Sequence, residues 1–330
     1  MKHFANFFLL FTVAILFLSC GGKKLSSSEQ TVDTMTNVPV FNADSAMLSI
    51  RTQCAFGPRV LESKAHENCG RYISDAFKHY GCSVSLQKAT FTRYDGVKMK
   101  GYNIIAQTRP GATRRIVLCA HWDSRPWADQ DADAANHKKP IDAANDGASG
   151  VAVMLEIARV LQKDTLGFGV DFVCFDAEDA GTPEWAGESG DDADTWCLGS
   201  QYWAKNVHAQ GISYAILLDM VGGMGARFYQ EGFSLRYAGE VVAKVWDAAS
   251  AAGYSDVFPH EQGGMITDDH LPVNQTAKIP SIDIVPYYPT ASNAFGPTWH
   301  TMQDNTNNIS PITLKAVGQT LLQLLFTENL

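Results

Sequence analysis

The sequence predicts an α/β protein: a single domain built on a doubly wound, mostly parallel sheet flanked by helices. Three observations predict it. Short apolar runs alternate with helical patterns along most of the chain, the order expected of repeated βα units. Several of those runs end directly on acidic residues or histidine, as happens where ligand-binding loops leave the C-terminal edge of a parallel sheet. And 330 residues with 45% hydrophobic content are enough for one large core, with no internal repeat or second linker to divide it.

The elements follow in order. Apolar spacing predicts helices over about 43–53 and 63–80, then a strand near 82–94 marked by alternation through Val84, Leu86, Ala89 and Phe91. Residues 102–107 and 115–120 read as adjacent strands joined by the Pro110-Gly111 turn. Residues 147–162 read as an amphipathic helix with Val151, Met154, Leu155, Ala158 and Leu161 on one face. Short apolar strands are expected at 170–175, 214–218 and 281–285. A closing helix at 311–328 carries Pro311 in its first turn, where its missing N–H costs nothing.

The start of the chain is read apart from the fold. Lys2 and His3 precede an apolar run from Phe7 to Leu18, too short to span a membrane and of the length of a cleaved export signal, here 1–19. The run stops at Leu18-Ser19-Cys20-Gly21, which resembles the lipid-attachment box of bacterial lipoproteins, although Phe17 stands where an aliphatic residue is usual. That resemblance implies lipidation of Cys20, a solvated tether over 20–41, a membrane anchor, and a catalytic domain over 42–330 exported to the periplasm. The net charge of −9 and the lack of a dense basic cluster argue against a nucleic-acid partner. Six cysteines remain beyond Cys20, an even number that permits disulfides. Cys119 and Cys174 sit inside apolar strand runs and read as buried thiols, and the absence of any CxxC pair argues against cysteine-based zinc chemistry.

The chemistry gathers at the strand ends. His121-Trp122-Asp123 follows one apolar run, Glu178-Asp179 another, and Asp219 closes a third. Asp146 stands in Asn145-Asp146-Gly147 at the mouth of a helix, where unpaired amide donors favour a carboxylate. His300 arrives from the far end of the chain, beside the indole of Trp299. Each has an ordinary alternative when taken alone: Asp146 a helix cap, Asp219 a loop residue, Glu178-Asp179 a solvated loop, His300 a turn. Together, one carboxylate, an adjacent acidic pair and a distant histidine are what a zinc site with a neighbouring base requires. Asp191-Asp192-Ala193-Asp194 reads as a solvated acidic loop, with calcium as its functional alternative.

The ordered set His121-x-Asp123, Asn145-Asp146-Gly147-Ala148-Ser149-Gly150, Asp176-Ala177-Glu178-Asp179, Leu218-Asp219 and Trp299-His300-Thr301 is similar to the zinc-dependent aminopeptidase family that also contains the animal-type glutaminyl cyclases. Trp299-His300-Thr301-Met302 with Asp304-Asn305, and Asp268-Asp269-His270-Leu271-Pro272, resemble the cyclases most closely. The resemblance implies an aminopeptidase-like fold from about residue 43, one zinc held by Asp146, Asp179 and His300, and Glu178 as general acid/base. It further implies Asp219 and Asp268 as carboxylates hydrogen-bonded around that base, and Trp299 as a wall of the substrate pocket. The implied substrates are peptides and proteins with N-terminal glutamine, cyclised to pyroglutamate with release of ammonia. Asp179 is shorter than the glutamate usual in the animal enzymes, and the stretch 287–298 before Trp299 is longer than theirs.

Two rivals stand beside this reading. A two-zinc aminopeptidase would hold a second metal with His121 and Asp219, bridged by Asp146, and both residues are present. A non-catalytic, peptide-binding lipoprotein would keep the crevice and lose a ligand or the base, whereas here every position is filled. The bulk of Trp299 beside a ligand favours a small folded side chain, and hence cyclisation. Trp122, Trp127, Trp185, Trp196 and Trp203 are expected in loops around these motifs, with Trp185 and Trp196 as candidates to line the pocket.

Overall fold

Six strands form one mixed sheet in the order β1-β2-β4-β3-β5-β6, with β1 at Ser83–Thr92, β2 at Lys98–Gln107, β3 at Arg115–His121, β4 at Gly169–Phe175, β5 at Ile212–Leu218 and β6 at Ser281–Ile284. The four strands β4, β3, β5 and β6 are parallel, and the β1–β2 hairpin joins the β4 edge antiparallel. The computed structural model describes residues 37–163, 166–187, 193–291 and 293–330. The leader 1–19, Cys20, nearly all of the tether 20–41, and Asp191 and Asp192 of the acidic loop lie outside those residues. Thr36–Leu330 clusters as one compact unit.

The central strands β3 and β4 are buried on both faces, which is why β3 reads as an unbroken apolar run. Ile116, Leu118 and Ala120 point into the larger core, with α1 (Ala43–Ala55), α2 (Lys64–His79), α3 (Ala148–Leu161), α5 (Gly232–Ala251) and α7 (Pro311–Thr327). Val117 and Cys119 point the other way, towards Trp203 of α4 (Leu198–Asn206) and Val273 of α6 (His270–Gln275). Side-chain caps start several helices: Asn42 accepts from Asp44 and Ser45, Ser63 from His66, and Glu231 from Phe233 and Ser234. Pro311 takes the first position of α7 behind Ser310, as expected.

Four expectations need correction. Residues 102–107 and 115–120 are strands but not neighbours, because β4 lies between them. After β3 the chain crosses over through α3 and returns parallel to it, so β3 gains parallel partners on both sides while β2 is left to pair with the outer edge of β4. The helix at 147–162 is not amphipathic: almost its whole circumference is buried, since α1 and α7 cover the side turned away from β3. In β1, Leu86 is 45% exposed, and Gln87, Ala89 and Phe91 carry the inward face instead. Trp203 stands on α4 rather than in a loop, and both it and Trp122 are core residues, at 3% and 0% exposure.

Among the described residues the six cysteines are all free, with Cys119 and Cys174 fully buried as expected. No helix among them is long and apolar enough to cross a membrane.

Candidate metal centre and active site

The C-terminal ends of β3, β4 and β5 bring the predicted residues together. His121 is the last residue of β3, Glu178 and Asp179 follow β4, and Asp219 follows β5 directly. Left-handed backbone at Ala143, Ala177, Cys197, Met220 and His300 concentrates strain around this edge, the pattern of loops held in shape for function. Two buried carboxylates hold those loops. Asp123 accepts from the amides of Glu178 and Asp179, one on each oxygen, both at 3.2 Å. Asp304 accepts in the same way from Asn145 at 2.7 Å and Asp146 at 3.0 Å. Asp146 itself does not cap a helix. Gly147 takes the cap position at φ 96°, where a Cβ would meet the Asp123 carbonyl at 2.8 Å, and the Asp146 side chain turns into the crevice.

Asp146, Asp179 and His300 are all buried and present ligand atoms within 4.8 Å of one another. His300 Nε2 lies 3.0 Å from Asp179 Oδ1 and 3.6 Å from Asp146 Oδ2. Ligand atoms at zinc distances in a tetrahedron sit about 3.3 Å apart, so these separations fit. Oδ2 of Asp146 and Oδ2 of Asp179 are buried without a hydrogen-bond partner, and such orphaned acceptors call for a cation. Burial, then the facing Asp179 carboxylate, pushes the Asp146 carboxyl up to about 7. On Asp179 burial acts in the same direction but is outweighed by His300 and Arg125, which hold it at about 2. The shorter acid at 179 therefore reaches the cluster.

The ring of His300 is fixed from several sides. Trp299 stacks on it at 3.9 Å and Trp196 faces it at 6.0 Å, nearly parallel. Its Nδ1 lies 3.6 Å from Asp129, which Arg125 holds in a buried ion pair. A carboxylate behind a histidine in this way sets the tautomer and orientation of a metal ligand. Arg125 also donates to the Asp179 carbonyl at 3.0 Å, tying the two ligands together.

Beside this triad lies a second grouping. His121 Nε2 is 2.9 Å from Asp146 and 3.3 Å from Asp219, yet has no hydrogen-bond partner. His121, Asp146 and Asp219 thus form another set of donors able to hold a cation, and Asp146 belongs to both sets. Glu178 and Asp268 complete the crevice. Burial first, then the neighbouring Asp179, pushes the Glu178 carboxyl well above its usual range, against the opposing pull of His121. Asp268 is raised by burial, then by Asp219 and Asp269, and the equally buried Asp283 is raised by burial and then by Asp268. A cavity of about 400 Å³ opens onto the site, with Glu178, Asp219, Asp268, Phe295, Trp299 and His300 in its lining.

The crevice therefore brings together His121, Asp146, Glu178, Asp179, Asp219, Asp268, Trp299 and His300. Of the two candidate aromatics, Trp196 lines the cavity, whereas Trp185 is 43% exposed and lies outside its lining. Sequence reasoning gave no role to Asp129, Arg125, Cys197 or Asp283, and missed the clamps made by Asp123 and Asp304. The signal for the clamps was present, since both are acids within the quoted motifs.

A mixed sheet with buried carboxylates and histidines converging at its strand ends defines the class of zinc-dependent exopeptidase-like enzymes. The profile of peptidase family M28 matches residues 103–325, and the chain belongs to that family. It is 50% identical to a glutaminyl cyclase of Tannerella forsythia, over 88% of this chain and 100% of that one, with a TM-score of 0.86. It is 47% identical to a Zn-dependent exopeptidase of Parabacteroides distasonis, over 88% and 100% of the two chains, with a TM-score of 0.85. A glutaminyl-peptide cyclotransferase of Bos taurus is 24% identical over 261 residues, 69% of this chain and 66% of its own length, so the match spans just under two thirds of that relative.

Proposed function

We propose that the chain is a zinc-dependent glutaminyl-peptide cyclotransferase, which converts N-terminal glutamine of peptides and proteins to pyroglutamate and releases ammonia. Similarity to a bacterial glutaminyl cyclase over 88% of this chain supports this. The observation that carries it is the shape of the site: Trp299 stacks on His300 and, with Phe295 stacked behind it at 4.6 Å, walls a cavity of about 400 Å³. That space suits one folded side chain.

Asp146, Asp179 and His300 would hold the zinc, which polarises the γ-amide carbonyl of the substrate when bound. The glutamine brings its own nucleophile. Its α-amine forms a bond to Cδ, the carbon of the side-chain amide, the bond from that carbon to the amide nitrogen breaks, and the nitrogen leaves as ammonia. Holding the side chain folded over the amine is worth up to ~7–11 kcal/mol in a well-oriented intramolecular attack. Glu178 takes the proton from the α-amine and delivers it to the departing nitrogen. Its raised proton affinity suits both halves of that transfer. Asp219 and Asp268 hold the charge around it, and the indole of Trp299 keeps water from the folded substrate.

Glu178→Gln tests the assignment. Turnover should fall by at least three orders of magnitude while zinc stays bound, measured by ammonia release from a Gln-peptide and by metal analysis; unchanged turnover removes Glu178 from the mechanism. One observation favours a second reading, a two-zinc aminopeptidase: the approach of His121 to both Asp146 and Asp219. Metal equivalents per chain, with ammonia release compared against hydrolysis of a Leu-peptide, separate the two. Amino-acid release without pyroglutamate would sink the cyclase. The leader sequence further supports export, with Cys20 lipidated and the enzyme anchored at a periplasmic membrane face.

A further inference from the structure

Cys197 stands beside Glu178 and Asp268 in this crevice, and its sequence context gives it no role there. It precedes α4 with left-handed backbone, φ 55° and ψ 34°, and is 3% exposed. Its amide donates to the Glu178 carbonyl at 3.0 Å, and the next amide, of Leu198, donates to the Ala177 carbonyl at 3.1 Å. Its thiol lies 3.3 Å from Glu178 Oε1. Asp123 holds the backbone of Glu178 but not its head group. Among the described residues, the Cys197 thiol is the one side chain that hydrogen-bonds the Glu178 carboxylate. Oε2 is left unbonded, 4.0 Å from His121 Nδ1.

We propose that Cys197 is a positioning residue for the general base: its Sγ–H donates to Oε1 of Glu178 and fixes the carboxylate so that Oε2 is presented to the substrate. This rests on the cyclase reading above, with Glu178 as base. The geometry fits the task in three respects. Left-handed backbone at a residue with a Cβ is a strained choice, and here it aims the thiol at the carboxylate while the amide closes on the same residue's carbonyl. Burial, then the carboxylates of Glu178, Asp269 and Asp268, keeps the thiol protonated and so a donor. A thiol is also a weak donor. A strong donor to a carboxylate stabilises the anion and makes it a poorer base, whereas a weak one sets the orientation and leaves the basicity. The contact survives the catalytic cycle, because Oε1 accepts equally when Oε2 carries the proton.

The test compares wild type, Cys197→Ala, Cys197→Ser and Glu178→Gln, each as zinc-loaded full-length mature protein, by kcat and KM for a Gln-peptide, zinc content and thermal midpoint. Cys197→Ala should lower kcat about fivefold, the loss expected of one weak hydrogen bond at the base, with KM and zinc content unchanged. Cys197→Ser restores a donor, though a stronger one, and should recover part of the lost kcat, landing between the alanine variant and wild type. Should Cys197→Ala fail to fold, Cys197→Gly makes the same deletion with a residue suited to the positive φ. If Glu178→Gln is inactive while the alanine or glycine variant keeps wild-type kcat, this inference alone is overturned. A loss that serine does not reduce at an unchanged thermal midpoint also overturns it. Wild-type turnover in Glu178→Gln overturns both the inference and the reading it rests on.

Discussion

Asp304 makes a sharp test of how the metal site is built. Its two oxygens accept from the amides of Asn145 and Asp146, and its side chain is 1% exposed. Asp304→Ala leaves two buried N–H groups without acceptors, at about 1–3 kcal/mol each. Removing a buried carboxylate returns part of that, because burial and the nearby Asp146 charge already disfavour its ionised form. A net loss of about 2–3 kcal/mol follows, which leaves the chain folded and lowers its melting temperature by roughly 5–10 °C. The larger consequence is local. Asp146 loses the anchor that aims it at His300 and Asp179, and zinc affinity should fall ~10–100-fold. Asp304→Asn keeps one acceptor and should land between the two. Calorimetry gives the first quantity and titration against a competing chelator the second. Wild-type zinc affinity in a folded Asp304→Ala protein would falsify the clamp argument, because nothing else described holds the Asn145 and Asp146 amides.

Two further outcomes are expected. Burial, then Asp268 and Asp219, raises the Asp283 carboxyl well above its usual range. The folded chain therefore binds this proton more tightly than the unfolded one, and the stability it contributes in acid is lost as pH rises through the raised value. Asp283→Asn fixes the neutral form, so its urea midpoint should decline less than that of wild type between about pH 5 and pH 9; parallel declines count against the assignment. Trp299→Ala removes the indole stacked on His300 and should lower kcat/KM for Gln-peptides roughly 10–100-fold, with Trp299→Phe recovering most of it. Unchanged kcat/KM in the alanine variant would show that the indole is not a wall of the substrate site.

The element boundaries were legible because each rests on local chemistry. Ser63 and Pro311 mark helix starts through backbone groups only they satisfy or spare, and the strands show as short apolar runs between turns. Strand order was not legible in the same way. Pro110-Gly111 does turn the chain, and nothing near it records that a strand from 169–175 will enter between β2 and β3. That pairing is decided by the crossover through α3, which begins 37 residues after Gly111. The all-round burial of α3 escaped for the same reason: α1 and α7 cover it from opposite ends of the chain, and one helix's periodicity cannot show what covers its second face. Leu86 shows the opposite failure, an apolar residue that matched the alternation and points to solvent.

The site was legible where residue type alone limits the chemistry. A histidine and four or five acids at strand ends have few explanations, and Asp146, Asp179 and His300 converge because all the strand-end loops open on one edge. The residues that hold them belong to a different category. Asp123 and Asp304 act through carboxylates, but on backbone amides, which every sequence contains. Arg125 acts through contacts to the Asp179 carbonyl and to Asp129. Cys197 acts through a backbone angle and a single thiol contact. None of these has a spacing signature, because each partner is set by where a loop lands. The same distinction bears on the fork between cyclisation and hydrolysis. Ligand identity is shared by both reactions, since His121 and Asp219 stand ready for a second cation. What separates them is the space left beside the ligands and the aim of one carboxylate: Trp299 restricts the first and Cys197 sets the second.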